Sequence, residues 1–114
     1  MNVEPGVIMT NIFENSKPRT RFDKQSPYVN VMRRNGKMFA AGFRQATPPE
    51  LVAETIRDAV ESPVYRLRWP VGPDAHSMWT GRLRMSDEEW VSMGDEMTDE
   101  AYNSRFHAYF GIDL

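Results

Sequence analysis

Apolar residues recur at helical spacing in the middle of the chain, where one face carries Leu51, Val52, Ile56, Ala59 and Val60. Thr47 is a typical N-cap for this face, Pro48 a typical first helical residue, and Glu50 is placed to close a capping box with Thr47. Ser62-Pro63 ends the pattern, because a residue that precedes proline disfavours the helical conformation. We therefore predict a helix over about residues 48–61.

The next segment alternates with the period of two that is typical of a β-strand. One side carries Tyr65, Leu67, Trp69 and Val71, and the other carries Arg66, Arg68 and Pro70. Charged residues and a proline on one side suit the edge of a sheet, where a missing N–H is tolerated. The alternation predicts an edge strand over about residues 64–71.

Weaker patterns precede these two elements. Residues 2–8 indicate the end of a strand that is broken at Pro5-Gly6. Tyr28, Val31 and Met32 have helical spacing and predict a short helix that begins near Ser26-Pro27.

The C-terminal part of the chain predicts two further helices. Ser86 and Glu89 form a capping box for a helix that runs to about Met93, and Thr98 begins another that runs to about Tyr109. Gly72-Pro73-Asp74, which follows the edge strand, is predicted to be a turn.

These elements predict an α/β fold with one βαβ crossover and additional C-terminal helices. The segment 11–46 is longer than an ordinary connection, which is typical of a lid or a binding loop. A two-stranded parallel sheet is seldom stable alone, so the pattern indicates a piece of a larger sheet.

Composition excludes several classes of site. The 114 residues contain no cysteine and only two histidines, His76 and His107, which excludes disulfides, thiolate zinc sites and histidine-rich metal sites. No apolar run approaches the roughly 18 residues of a membrane-spanning helix, and no secretory signal is visible. We therefore expect a soluble, cytoplasmic protein without a metal centre and without a membrane partner.

The charge distribution is uneven but does not indicate a nucleic-acid surface. Residues 1–44 hold eight basic and three acidic residues, whereas residues 45–114 hold six basic and thirteen acidic ones. The basic residues are scattered among prolines without forming a regular stripe, which favours a solvated, irregular surface segment. We expect no nucleic-acid partner.

Three other groups of residues favour structural interpretations. Asp74, His76 and Ser77 are the residue types of a hydrolytic triad, but neighbours in sequence rarely converge as nucleophile, base and orienting group. The seven carboxylates between residues 87 and 100 are explained by two helix N-termini. Core or interface anchoring is the favoured interpretation of the three tryptophans, Trp69, Trp79 and Trp90.

The segment Val3-Glu4-Pro5-Gly6-Val7-Ile8-Met9-Thr10 resembles the Pro-Gly-x-x-x-Thr signature that follows the sixth strand of short-chain dehydrogenases/reductases. The segments that begin at Thr47 and Tyr65 resemble that family's penultimate helix and last, edge strand. The resemblance implies that residues 1–75 are the C-terminal portion of a Rossmann-type domain, a partial Rossmann-like piece whose lid spans 11–46. Residues 76–114 would be a helical extension found in some members only.

The resemblance also implies four cofactor-binding positions: Pro5, Gly6, Val7 and Thr10. In the family, the backbone near Val7 meets the nicotinamide carboxamide of NAD or NADP, and the Thr10 hydroxyl bonds the carboxamide or a nearby phosphate. The residue types fit, since Gly6 permits close approach and a hydroxyl can both donate and accept. The alternative is a plain strand-to-loop turn in which Thr10 caps the segment that follows.

The family's other functional residues are missing from this chain. The glycine-rich nucleotide turn, the active-site serine and the Tyr-x-x-x-Lys pair all lie before the sixth strand in the family, and none of the four tyrosines here precedes a lysine by four residues. We assign no catalytic residue, and we expect the chain alone to be inactive and to bind no cofactor.

Two functional hypotheses follow. In the first, the chain is part of an NAD(P)-dependent oxidoreductase that acts on a small carbonyl or alcohol substrate. In the second, it is a non-catalytic interaction module derived from that fold. Family members commonly form oligomers through the elements that correspond to helix 48–61 and strand 64–71, so the resemblance implies a homo-oligomer.

Overall fold

The computed structural model describes residues 1–16 and 23–114, which form two strands and six helices. In order these are β1 (Asn2–Pro5), α1 (Ile12–Asn15), α2 (Val29–Phe43), α3 (Pro49–Glu61), β2 (Arg68–Val71), α4 (Pro73–Leu83), α5 (Asp87–Ser92) and α6 (Asp99–Phe110). No helix among the described residues is long and apolar enough to span a bilayer.

The two strands pair in parallel, with Asn2 opposite Arg68. The pairing extends just beyond β1, because the Gly6 N–H donates to the Val71 carbonyl at 2.9 Å. Since the strands are parallel, the chain between them is a crossover, and it contains α1, α2 and α3. The chain is therefore a mixed α/β protein, as its periodic patterns predict.

The predicted strand over residues 64–71 is too long, because β2 spans only Arg68–Val71. Its partner β1 begins opposite Arg68, and the pairing ends at the Leu67 carbonyl, which accepts from the Asn2 N–H, so residues 64–66 have no partner in β1. Within β2, the carbonyl of Val71 faces β1, so the nitrogen of the preceding Pro70 faces away from it. This orientation suits proline at a sheet edge.

The predicted central helix is α3, but the predicted capping box of Thr47 and Glu50 is wrong. The helix begins at Pro49 without a side-chain cap. Thr47 is buried and pairs with the chain that follows β1: its N–H donates to the Val7 carbonyl and its carbonyl accepts from the Met9 N–H, both at 2.9 Å. This long-range pairing holds Thr47 outside the helix.

The segment predicted as a lid over 11–46 is largely helical rather than irregular. In place of a short helix, α2 runs for 15 residues and passes through Gly36, where a glycine costs only about 1 kcal/mol relative to alanine. Residues 17–22 of this segment lie outside the described residues.

Three basic residues of α2 hold it against the start of α6. Arg33 and Lys37 form ion pairs with Asp99 at 2.7 and 2.9 Å. Arg34 is buried, donates to a backbone carbonyl just before α6 at 2.8 Å, and lies 4.3 Å from the centre of the Tyr102 ring. The expectation of an irregular segment is wrong for these three residues, which lie on a helix, and the expectation of a solvated surface is wrong for the buried Arg34, whereas Arg33 is exposed.

The predicted turn at Gly72-Pro73-Asp74 is also wrong, because these residues begin α4. Gly72 is the N-cap, with a φ of 95°, and Pro73 is the first helical residue. Proline suits this position because the first N–H groups of a helix have no partner within the helix.

The two C-terminal helices form as predicted. Ser86 and Glu89 make the reciprocal capping box of α5, and the Thr98 hydroxyl accepts from the Ala101 N–H at the start of α6. The apolar core of this region consists of Met85, Met93, Phe106 and Phe110. This core lies among the C-terminal helices rather than against the sheet.

We predict that Asp99→Asn weakens the attachment of α2 in a pH-dependent manner. Hydrogen bonds from Arg33 and Lys37 lower the pKa of Asp99 from 3.8 to about 2. Because the pKa is lower in the folded than in the unfolded state, the pairing stabilises the fold above about pH 4 and fades toward pH 2. Thermal melting should separate the variant from the wild type near neutral pH, and the two should converge in acid.

Asp58→Asn is the matched control, because Asp58 forms a more exposed ion pair with Arg57 at 3.3 Å. Such a pair contributes little to stability. Equal losses in the two variants, or an Asp99→Asn effect that persists unchanged in acid, would contradict the prediction.

Candidate functional site

The carboxyl ends of β1 and β2 lie side by side because the strands are parallel. At this point Asp74 reaches back from α4 toward the end of β1, and its Oδ2 accepts a hydrogen bond of 2.7 Å from the Val7 N–H. One carboxylate thus ties the start of α4 to the end of β1. We call the surrounding group the strand-end junction; it comprises Gly6, Val7, Gly42, Thr47, Gly72 and Asp74.

Three glycines leave the space in which the residues of the strand-end junction pack closely together. A β-carbon on Gly6 would lie 1.9 Å from Asp74 Oδ1, and one on Gly42 would lie 2.3 Å from Val7 Cγ2. A β-carbon on Gly72 would lie 2.5 Å from Thr47 Oγ1, and its positive φ also disfavours any L side chain. The close packing of the junction therefore depends on all three positions.

Asp74 also satisfies the positive end of α4. Its Oδ1 accepts a hydrogen bond of 3.0 Å from the Ala75 N–H, in the first turn, where helix N–H groups lack partners within the helix. The carboxylate occupies the place that an anionic ligand would take at this helix end. The junction is thus unsuited to binding an anion at α4.

A pocket of about 620 Å³ opens beside the strand-end junction, within the size range of small-molecule sites. Its floor is the end of β1, from Glu4 to Val7, and its two walls are α2 and α4. Trp90 and Ile112 contribute to its far side. The side chains that the two helices supply are mostly apolar: Met38, Phe39, Ala41, Ala75, Met78 and Trp79.

The two arginines that line the pocket are already paired with carboxylates. Arg68 donates to the Glu4 carboxylate, so both charges at the floor are compensated. Arg82 donates to the Asp87 carboxylate, and its guanidinium lies 5.6 Å from the centre of the Trp90 ring. The pocket consequently offers no free cation to an anionic ligand.

The structure brings three of the four predicted cofactor positions to this pocket. Pro5, Gly6 and Val7 line it, whereas Thr10 is exposed and lies outside the lining. Both backbone polar groups of Val7 are engaged within the chain, the N–H by Asp74 and the carbonyl by Thr47. A nicotinamide carboxamide near Val7 would have to share or replace these hydrogen bonds.

The residues that were considered as a hydrolytic triad or as a metal site have structural roles. Asp74 accepts from backbone amides, and among the described residues neither His76 nor Ser77 donates to it. No cluster of three or more histidine, aspartate or glutamate side chains in the described part of the chain is arranged to hold a metal ion.

The tryptophans divide between two environments. Trp79 and Trp90 line the pocket, so anchoring in a core or interface does not describe them fully. Trp90 also packs edge-to-face against Phe110, with ring centres 6.4 Å apart. Trp69 lies away from the pocket, with the Arg66 guanidinium 4.4 Å from its ring.

The sequence patterns did not identify Asp74 as the organising residue of the site. The available signal was a proline followed by an acidic residue, which is typical of a helix start, with Ala75, Met78 and Trp79 at helical spacing after it. The pairing with Val7 spans 67 positions and leaves no local signature.

The chain matches no family model, and comparison with curated proteins and with solved structures finds no similar protein. The resemblance to short-chain dehydrogenases/reductases therefore rests on the residues of this chain alone.

We predict that Gly6→Ala destabilises the protein by about 1–3 kcal/mol, because the new methyl group would overlap Asp74 and force the junction apart. Gly6 does not have a positive φ, so the loss is steric and not a backbone effect. Urea unfolding of the variant and the wild type measures the difference.

Gly36→Ala is the matched control. A β-carbon at Gly36 meets nothing within 4 Å, so this change should stabilise α2 by about 1 kcal/mol. A neutral Gly6→Ala, or equal effects of the two substitutions, would mean that the close packing around Asp74 is not as described.

Proposed function

We propose that this chain is the C-terminal part of a short-chain dehydrogenase/reductase domain, whose parent activity is NAD(P)-dependent oxidoreduction of a carbonyl or alcohol substrate. The observation that carries the proposal is the position of the pocket. It opens at the carboxyl ends of two parallel strands, which is where open α/β sheets bind their ligands. The motif segment Pro5-Gly6-Val7 lies at its floor.

In this proposal the chain supplies the substrate side of the cleft and a small part of the cofactor contact. Pro5, Gly6 and Val7 bring backbone close to the nicotinamide ring, and the Thr10 hydroxyl bonds the carboxamide or a phosphate. The pyrophosphate and ribose sites belong to the nucleotide-binding half, whose motifs are not in this sequence. NAD and NADP are thus cofactors of the parent domain rather than of this chain alone.

In this proposal, the residue that transfers the proton to the substrate also belongs to the nucleotide-binding half. A catalytic tyrosine needs a lowered phenol pKa, so that its proton is available near neutral pH. Burial instead raises the pKa of Tyr102, and Tyr28 and Tyr65 are strongly exposed. None of these three tyrosines has the environment of a general acid.

The test is to join residues 1–114 to the nucleotide-binding half of a short-chain dehydrogenase, in place of everything from its sixth strand onward. We expect saturable enhancement of NADH or NADPH fluorescence in the chimera. The chain alone should show no saturable signal up to millimolar cofactor. A folded chimera that binds neither cofactor, or saturable binding by the chain alone, would contradict the proposal.

Within the chimera, Thr10→Ala should weaken cofactor affinity about fivefold, the effect of one lost hydrogen bond. Thr55→Ala is the matched control, because its hydroxyl donates to the Leu51 carbonyl within α3 and lies away from the pocket. Equal effects of the two substitutions would mean that Thr10 does not bind the cofactor.

A second candidate function, a non-catalytic oligomerisation module, is favoured by one specific observation. Large apolar side chains stay exposed along α3 and the segment that follows it: Leu51, Ile56, Val60, Val64, Tyr65 and Leu67. Val60 is 68% exposed and Tyr65 is 85% exposed, which is typical of a surface that another chain covers. We propose that a second copy of the chain covers this surface.

We predict that Val60→Asp shifts the chain toward a monomer in sedimentation velocity, because a buried unpaired carboxylate opposes association. Val91→Asp is the matched control, since Val91 on α5 is 70% exposed and lies outside this surface. A wild-type chain that sediments as a monomer at about 0.1 mM, where even weak dimers form, would contradict the oligomer.

A further inference from the structure

We propose that the pocket between α2 and α4 binds a neutral, largely apolar organic molecule, and that this chain supplies the whole binding site. The inference goes beyond the proposed function, because it requires neither a nicotinamide cofactor nor a nucleotide-binding half. It concerns the residues of the C-terminal extension as much as those of the motif segment.

The shape of the pocket indicates a small molecule rather than a protein segment. At about 620 Å³ it lies within the range of small-molecule sites, and it is bounded on several sides. The floor is the end of β1, one wall is α2, the opposite wall is α4, and α5 and the C-terminal residues supply further contacts.

The two helical walls present apolar side chains at helical spacing. On α2 these include Met38 and Phe39, and on α4 they include Ala75, Met78 and Trp79. Aromatic and thioether groups of this kind bury apolar ligand surface and adapt to its outline. A ligand that fills the space gains most of its affinity from apolar contact.

The electrostatics of the lining disfavour an anionic ligand. Arg68 and Arg82 each have a carboxylate partner, Glu4 and Asp87, so neither cation is free to compensate an anion. The Asp74 carboxylate, itself negative, already accepts from the Val7 N–H after β1 and from the Ala75 N–H at the start of α4. A phosphate or carboxylate would therefore lose its hydration without gaining a counter-ion.

Two neutral polar groups remain available to orient a ligand. The Gln45 amide and the Ser77 hydroxyl both belong to the lining, and among the described residues neither side chain has a hydrogen-bond partner. An amide and a hydroxyl match a single alcohol or carbonyl oxygen. The ligand class is thus an apolar molecule with one or two neutral oxygen atoms.

Contacts at both ends of α2 hold the pocket open. At its C-terminal end, Gly42 packs against Val7 in the strand-end junction. Toward its N-terminal end, Arg33 and Lys37 bind Asp99 at the start of α6. A wall that is fixed at both ends needs little reorganisation when a ligand enters, which favours binding.

The experiment uses two fluorescent probes that share an aromatic skeleton and differ in charge. N-phenyl-1-naphthylamine is neutral, and 8-anilinonaphthalene-1-sulfonate carries a sulfonate. We expect saturable binding of the neutral probe to the wild-type chain, with an affinity at least about tenfold higher than that of the anionic probe. Equal affinities, or the absence of saturable binding by the neutral probe, would overturn the proposal.

A matched pair of substitutions on α2 locates the binding site. Phe39 lines the pocket and is 44% exposed, so Phe39→Asp should leave the fold intact and weaken the neutral probe about tenfold or more. Val31 lies two turns earlier on the same helix, outside the lining, and is 55% exposed. Val31→Asp should leave the affinity unchanged.

A third variant tests whether the probe binds in this pocket or on the exposed surface of α3. Ile56→Asp should also leave probe affinity unchanged, because Ile56 is distant from the lining. Loss of binding in Val31→Asp or Ile56→Asp, with binding retained in Phe39→Asp, would place the probe elsewhere and overturn the proposal. Because no cofactor takes part, the result is independent of whether the chimera binds NADH or NADPH.

Discussion

The hydrogen bond between the Asp74 carboxylate and the Val7 N–H is the constraint on which the rest of the structure depends. It joins two segments that are 67 positions apart, at the point where both strands end. Gly6, Gly42 and Gly72 are present because a β-carbon at each would collide with Asp74, Val7 or Thr47. Once the junction is closed, the C-terminal end of α2 and the start of α4 are fixed as neighbours, and the pocket is the space left between the two helices.

Apolar side chains are buried unevenly across the chain, which agrees with its small size and its two-stranded sheet. The buried apolar cluster lies among the C-terminal helices, while α3 and the segment that follows it leave large apolar side chains in solvent. A parallel sheet of two strands normally requires further strands or helices on its faces and edges. The apolar face of α3 is therefore left uncovered within the described part of the chain.

Elements that are determined locally could be predicted from the sequence, and those determined at long range could not. The capping box of Ser86 and Glu89 and the N-cap at Thr98 act within a single turn, and both form as expected. Thr47 carries an equally good local signal, but its pairing with Val7 and Met9 overrides it. The extent of α2 and the role of Asp74 depend on contacts with distant residues, which no local pattern encodes.

The candidate functional site shows the same difference between features that are determined locally and features that are determined at long range. Pro5-Gly6-Val7 was recognisable as a motif, and it lies at the pocket. The aromatic wall from α4 and α5 was not predicted, because Gly72-Pro73-Asp74 is as typical of a turn as of a helix start. The functional interpretation therefore combines a resemblance in the motif segment with a cavity that this segment forms together with α2, α4 and residues near the C-terminus.

The most direct test of this account is the rate of hydrogen exchange at the Val7 amide, measured by NMR in the wild type and in Asp74→Ala. The account predicts that the wild-type Val7 amide is protected to a degree similar to Gly6, which bonds to Val71 within the sheet. It also predicts that this protection is lost in Asp74→Ala, while the amides of α6 keep theirs. A Val7 amide that exchanges as fast as an unbonded one in the wild type would contradict the account.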